Sequence, residues 1–258
     1  MQKIIGVITL ATCLMAFSHN ALANKNQLRI IINQDDVDLE NRTLNFRLNK
    51  AAAFAEIKVY DLENNVLSEK MQSYHGARAG TKLSIQWPLI PGDPDNFRIE
   101  LKATDENEFW VGFEIVHFFG EIPHEEVNFE SGKADVLPSE APKLDTVIPK
   151  IIEMVQKFQK FSSQMSYSLF VAGHTDTVGA TASNRELSLR RAQAIAKYLM
   201  DNGLRKQKIS IFVRGFGEEL LAVKTKDDVD EIRNRRADYI ISNFPPVMPG
   251  PGGWRKIK

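Results

Sequence analysis

The chain has one cysteine in 258 residues, Cys13, and that residue lies inside an N-terminal apolar run. Once the run is removed no thiol remains. The mature chain then has no disulfide framework and no cysteine nucleophile, and its domains rest on hydrophobic cores. An excess of one charge is also absent: 33 basic and 33 acidic side chains cancel. A nucleic acid partner requires a basic field that the whole chain does not offer. Histidine is scarce, with five residues. His124-Glu125-Glu126 has no second histidine in register, so the His-Glu-x-x-His zinc arrangement is missing, and no Gly-x-Ser-x-Gly turn occurs. The sequence therefore predicts a binding protein without catalytic residues, metal or cofactor.

What is present begins with an export signal. Met1-Gln2-Lys3 is a short positive start, Ile4 to Phe17 is almost unbroken apolar sequence, and Ala21-Leu22-Ala23 gives the small-x-small pattern of a cleavage site. The run is shorter than the ~20 residues that span a bilayer, so residues 1–23 read as a signal peptide and the mature chain has no spanning segment. Leu10-Ala11-Thr12-Cys13 loosely resembles a lipoprotein box, with outer-membrane anchoring through Cys13 as the alternative to cleavage after Ala23. The remaining composition, 43% hydrophobic and 26% charged, is that of a globular protein with room for two modest domains.

Residues 24–120 alternate with period two. Leu44, Phe46 and Leu48 face one way, as do Ile57 and Val59, then Leu83, Ile85 and Trp87, then Ile99, Leu101 and Ala103. Such alternation marks strands with one buried face. Turn residues separate the runs at Asn64-Asn65 and Pro91 to Asn96. About seven short strands at this spacing predict an all-β sandwich of immunoglobulin-like type. A membrane barrel would need at least eight strands of ~9–11 residues, more than this segment supplies. Trp110, in the aromatic run 109–113, could face a partner, although an aromatic at the edge of a core strand is the commoner arrangement.

Residues 121–244 change period. A short strand is expected at 126–129, then a helix after a Ser139 cap, with Leu144, Val147, Ile148, Ile151, Val155 and Phe158 on one face and an interruption at Pro149. A buried strand follows at 167–172. A second helix is expected to open on the Ser183-Asn184-Arg185-Glu186 capping box, with Leu187, Ala194, Ile195, Tyr198 and Leu199 inward. A strand at 209–213, a helix at 228–236 and a last strand at 237–242 complete a two-layer α/β domain of order βαβαβ(α)β. The Pro- and Gly-rich residues 245–258 read as a disordered tail.

Three polar stretches stand out: Gly173-His174-Thr175-Asp176 with Gly179, Asn184, Leu187-Ser188 and Arg191-Ala192; Arg214-Gly215-Phe216-Gly217; and Asn234-Arg235-Arg236. Together they resemble the OmpA-like family, which includes the peptidoglycan-associated lipoprotein and the stator proteins of the flagellar motor. The resemblance implies non-covalent binding of the peptidoglycan peptide stem through meso-diaminopimelate, in the periplasm and at the cell wall. It assigns Asp176 and Arg191 as principal ligand residues and Thr175 and Asn184 as supporting ones. Glu130 falls where many members carry aspartate, and Arg235 or Arg236 adds a contact from the last helix. The physical chemistry agrees: a zwitterion needs a fixed anion and a fixed cation, and a guanidinium grips a carboxylate with two parallel hydrogen bonds. Gly179 lets the intervening loop turn back. His174, after a buried strand, reads as a core histidine. A second reading places the work on the sandwich, as a secreted adhesion or interaction protein that binds an envelope partner and is only retained at the wall.

Overall fold

The computed structural model describes residues 15–18, 27–38, 41–90, 96–161, 166–207, 209–246 and 248–257. Two compact units result, the first ending at Phe118 and the second beginning at Phe119. Cys13 and the Ala21–Ala23 cleavage site lie outside the described residues.

The N-terminal unit is all β. Its strands are β1 (Met15–Ser18), β2 (Ile30–Ile31), β3 (Val37–Asp38), β4 (Thr43–Leu48), β5 (Ala52–Tyr60), β6 (Val66–Ala77), β7 (Leu83–Gln86), β8 (Phe97–Asp105) and β9 (Trp110–His117). One sheet runs β1-β9-β8-β5-β6; in the other, β4 pairs with β2, β3 and β7. Every pairing is antiparallel. Alternation decides the core: Leu44, Phe46 and Leu48 from one sheet and Ile57, Val59, Ile99, Leu101 and Phe113 from the other join one cluster with Trp87. Part of the expected signal run, Met15–Ser18, is described as an edge strand on β9. Trp110 is half-buried under the Lys102 ammonium, 4.8 Å from its ring centre, while Phe109 is exposed.

The C-terminal unit has β10 (Phe119–Glu121), α1 (Ala141–Phe161), β11 (Ser168–His174), α2 (Thr181–Asp201), β12 (Ser210–Gly217), β13 (Ala237–Ser242) and β14 (Arg255–Lys256), in the sheet order β10-β13-β11-β12-β14. Strands β11 and β12 are parallel and joined by α2. Both helices contact the sheet, and α2 does so very closely: a Cβ on Gly173 would lie 2.2 Å from the Ser188 carbonyl oxygen, and one on Gly215 would lie 2.4 Å from the Leu189 nitrogen. This approach fixes the buried face of α2 on Ser188, Leu189, Ala192, Ile195, Ala196 and Leu199. Leu187, Ala194 and Tyr198, expected inward, are only half-buried, because the small residues turn toward the glycines.

Four further expectations are corrected. The opening strand lies at 119–121 and pairs with β13, whereas 126–129 is irregular. Asn128 N–H there is taken by the Glu140 carboxylate, 2.8 Å away, instead of a neighbouring strand. α1 begins at Ala141 and runs through Pro149. α2 begins at Thr181 after Ala180, without a side-chain cap, so Ser183-Glu186 lies within its first two turns. The expected 228–236 helix is a single 3-10 turn at Ile232–Asn234, tied down by Asn234, whose side chain bonds both backbone groups of Val223.

The tail also differs from expectation. The Arg214 guanidinium, itself buried, donates to the carbonyls of Met248, Pro249, Gly250 and Pro251, and it lies 4.2 Å above the Phe216 ring. Trp254 packs edge-on against Phe170 and Phe216 and donates its indole N–H to Pro246 O at 2.8 Å. β14 then pairs with β12. Proline and glycine prevent a helix here but leave carbonyls free for a guanidinium, so this segment is a strap across the aromatic side of the sheet.

Candidate functional site

The site forms where β11 and β12 end. His174 N–H donates to Arg236 O at 2.9 Å and Thr175 N–H to Gly217 O at 2.8 Å, so the end of β11 is held from both sides. The next residues, Thr175, Asp176 and Thr177, are buried although polar. The loop then turns at Gly179, whose φ of +93° favours glycine.

Asp176 Oδ2 accepts from Arg235 Nη1 at 2.5 Å, and Oδ1 accepts from Val178 N–H at 3.3 Å. Asn184 donates to Asp176 O at 3.4 Å and to Glu218 Oε2 at 2.7 Å. Arg191 is 8% exposed. Its Nε donates to Lys133 O at 3.0 Å and its Nη2 to Glu130 O at 3.4 Å, with the guanidinium 5.0 Å from the Phe129 ring centre. Nη1 has no protein partner among the described residues. Burial pushes the Arg191 guanidinium below its ordinary value, the Arg235 charge adds to the shift, and the Asp176 carboxylate opposes it. Arg235 is pushed the other way, by hydrogen bonds to Asp230 first and Asp176 second.

Five of the expected residues thus converge: Thr175, Asp176, Asn184, Arg191 and Arg235. Glu130 meets Arg191 through its backbone carbonyl, while its carboxylate pairs with Lys133. Arg236 lines the cleft, but its guanidinium is spent on Asp238 at 3.2 Å and Leu220 O at 3.1 Å, so Arg235 is the one that meets Asp176. An open cleft borders Asn128, Phe129, His174, Arg191, Arg235 and Arg236. The sequence reading missed Glu218, which fixes Asn184 and also accepts from Thr181 Oγ1 at 2.6 Å, and Asp230, the second anion on Arg235. The acidic pair Glu218-Glu219, directly after Gly-Phe-Gly, was the available signal for the first.

His174 is buried, stacked on Phe216 with centroids 5.2 Å apart, and its Nε2 is 3.0 Å from Asp238 Oδ2. Burial holds the imidazole below its ordinary value, against the pull of Asp238. Burial would raise the Asp238 carboxyl, but the His174 hydrogen bond and the Arg236 charge keep it lowered.

Residues 128–235 match the OmpA family model. This stretch is an OmpA domain. Outer membrane protein A of Shigella flexneri is 32% identical over 175 residues, covering 61% of this chain and 46% of that protein. Outer membrane protein P5 of Haemophilus influenzae is 30% identical over 121 residues, covering 47% and 30%. The chain spans less than half the length of these curated relatives. Among solved structures, similar chains include the peptidoglycan-associated lipoprotein from Burkholderia pseudomallei, at 19% identity, TM-score 0.34 and coverage of 45% of this chain and 90% of that one. The cell wall anchor of the T6SS from Pseudomonas aeruginosa is 16% identical, with TM-score 0.36 and coverage of 58% and 84%. Every converging residue of the site except Arg235, the last residue matched, lies well inside the OmpA domain. No helix among the described residues is long and apolar enough to cross a membrane.

Proposed function

We propose that the OmpA domain binds the peptide stem of peptidoglycan non-covalently, through the free end of meso-diaminopimelate, and anchors an envelope protein to the cell wall. The observation that carries this reading is that Arg235, which lines the cleft together with the half-engaged Arg191 guanidinium, holds the Asp176 carboxylate. The ligand's free end bears an ammonium and a carboxylate on one carbon. Asp176 is the anion for the ammonium, and Arg191 Nη1 is an open donor for the carboxylate. Arg191 is pre-oriented by the Lys133 and Glu130 carbonyls, so little side-chain freedom is lost on binding. Asn184, held by Glu218, supports the loop that presents Asp176.

The reading is of charge recognition by a binding module located in the periplasm and associated with the wall. The N-terminal unit is read as an immunoglobulin-like sandwich, supported by a sheet of four long strands, β6-β5-β8-β9, facing a sheet built around β4. It would hold a separate envelope partner. The exposed Phe109 beside half-buried Trp110 favours a second reading, in which the sandwich is an adhesion surface and the OmpA domain retains it at the wall.

Co-sedimentation with diaminopimelate-type sacculi tests the anchoring role. Wild-type protein is expected to pellet, and Asp176→Ala and Arg191→Ala each to remain in the supernatant. Pelleting that survives both substitutions would place wall binding elsewhere.

A further inference from the structure

Among the described residues of the C-terminal unit, three large apolar side chains are left exposed: Val178 at 44%, Val229 at 37% and Ile232 at 63%. Single exposed apolar residues are ordinary; an apolar group gathered at one place is not. All three lie on the two loops that meet at the Asp176–Arg235 pair. Val178 N–H donates to Asp176 Oδ1. Val229 N–H donates to Thr177 Oγ1 at 3.1 Å, and Asp228 N–H to Thr177 O at 3.0 Å. Thr177 Oγ1 in turn donates to Lys226 O at 2.7 Å, which staples the two loops together. Ile232 O accepts from Arg235 N–H at 3.1 Å, so Ile232 stands one turn before the arginine that meets Asp176. Around them the loop is charged: Lys226, Asp227, Asp228, Asp230 and Glu231. Apolar side chains in so polar a loop add nothing to the core, and their backbones are tied to the loops that carry Asp176 and Arg235.

We infer that Val178, Val229 and Ile232 form an apolar ledge that takes the methyl group of the alanine following diaminopimelate in the stem. The inference rests on the reading of the zwitterion site given above. Reach agrees with it. The zwitterionic carbon is separated from the peptide-linked carbon of the same residue by four C–C bonds of about 1.5 Å, and the alanine methyl lies a few bonds further. Two or three residues of loop, which separate Val178 from Asp176 and Ile232 from Arg235, span at most about 10 Å. The aliphatic part of the ligand then meets side chains of its own kind, while its charged end meets Asp176 and Arg191.

Two soluble stem peptides that differ by one methyl, ending in D-alanine or in glycine after diaminopimelate, provide the test by calorimetric titration of the full mature chain. Burial of one methyl corresponds to about a four-fold change in affinity. The alanine peptide is expected to bind about four-fold more tightly, and the Val178→Thr, Ile232→Thr double variant to bring the ratio of the two affinities close to one. Because the ratio is internal to each variant, a general loss of affinity does not imitate the result. Equal affinities in the wild type, or an unchanged ratio in the double variant, would overturn the ledge. If free meso-diaminopimelate binds while the two peptides do not differ, the ledge alone falls; if none of the three binds, the zwitterion site falls with it.

Discussion

Among the described residues, the N-terminal unit buries four polar or charged side chains, Asp36, Ser68, Thr104 and Asp105, and the C-terminal unit buries ten. The difference lies in what they do. Asp36 and Asp105 close local turns: Asp36 accepts from Asn33 N–H at 3.0 Å, and Asp105 accepts from Asn107 and Phe109 N–H at 2.9 and 3.0 Å. In the C-terminal unit, His174, Thr175, Asp176, Thr177, Asn184 and Arg191 gather around the end of one strand. Burying polar groups costs stability unless they are paired, and six of the ten gather that cost around one strand end. One unit uses its buried carboxylates to cap turns, and the other gathers buried polar groups at one strand end.

The contrast can be broken most severely at the glycines. Gly215→Ala places a methyl against α2 backbone, so an expected loss of about 3 kcal/mol or failure to fold should appear in urea unfolding. In the N-terminal unit, Gly80→Ala meets open space and only the cost of φ +80°, about 1 kcal/mol. Next in size is the strap. Arg214→Met removes a buried guanidinium that holds four carbonyls, with an expected loss of about 2–3 kcal/mol confined to the C-terminal unit's transition. A smaller effect concerns pH. His174 is held neutral by burial, so the unfolded chain binds its proton more readily. Its contribution is complete above the ordinary imidazole value of 6.5 and is lost as pH falls below it. Thermal melts between pH 8 and 5 should show a decline that His174→Gln flattens. The smallest effect is expected at Trp110: Trp110→Ser, half-buried at a strand end, should change stability by no more than about 1 kcal/mol. Loss of a binding partner without loss of stability in that variant would favour the adhesion reading.

Much of this arrangement was legible in the sequence because it is periodic or local. Alternation in β4, β5 and β8 marked the inward residues correctly, and the spacing of Asp176, Asn184 and Arg191 brought them to one strand end and one helix start. What was not legible depends on partners far along the chain. Phe119–Glu121 becomes a strand because β13 offers an edge more than a hundred residues later, and no local pattern announces that. The strap depends on Arg214 finding carbonyls at 248–251. The choice between Arg235 and Arg236 is made by the 3-10 turn and by Asp238, which draws Arg236 away. The inward face of α2 was misplaced because hydrophobicity was weighed where close approach, through Ser188 and Ala192 against Gly173 and Gly215, decides.

The central claim is that one carboxylate and one guanidinium read the two charges of a single carbon. Calorimetric titration of the protein with a soluble stem peptide containing meso-diaminopimelate, and with the same peptide containing L-lysine, whose α-groups are tied up in peptide bonds so that only the ε-ammonium is free, tests it most directly. The account predicts saturable one-to-one binding of the diaminopimelate peptide, at least ten-fold weaker binding of the lysine peptide, and loss of the difference in Arg191→Ala. Equal binding of the two peptides by the wild type, or a preference that survives Arg191→Ala, would contradict it.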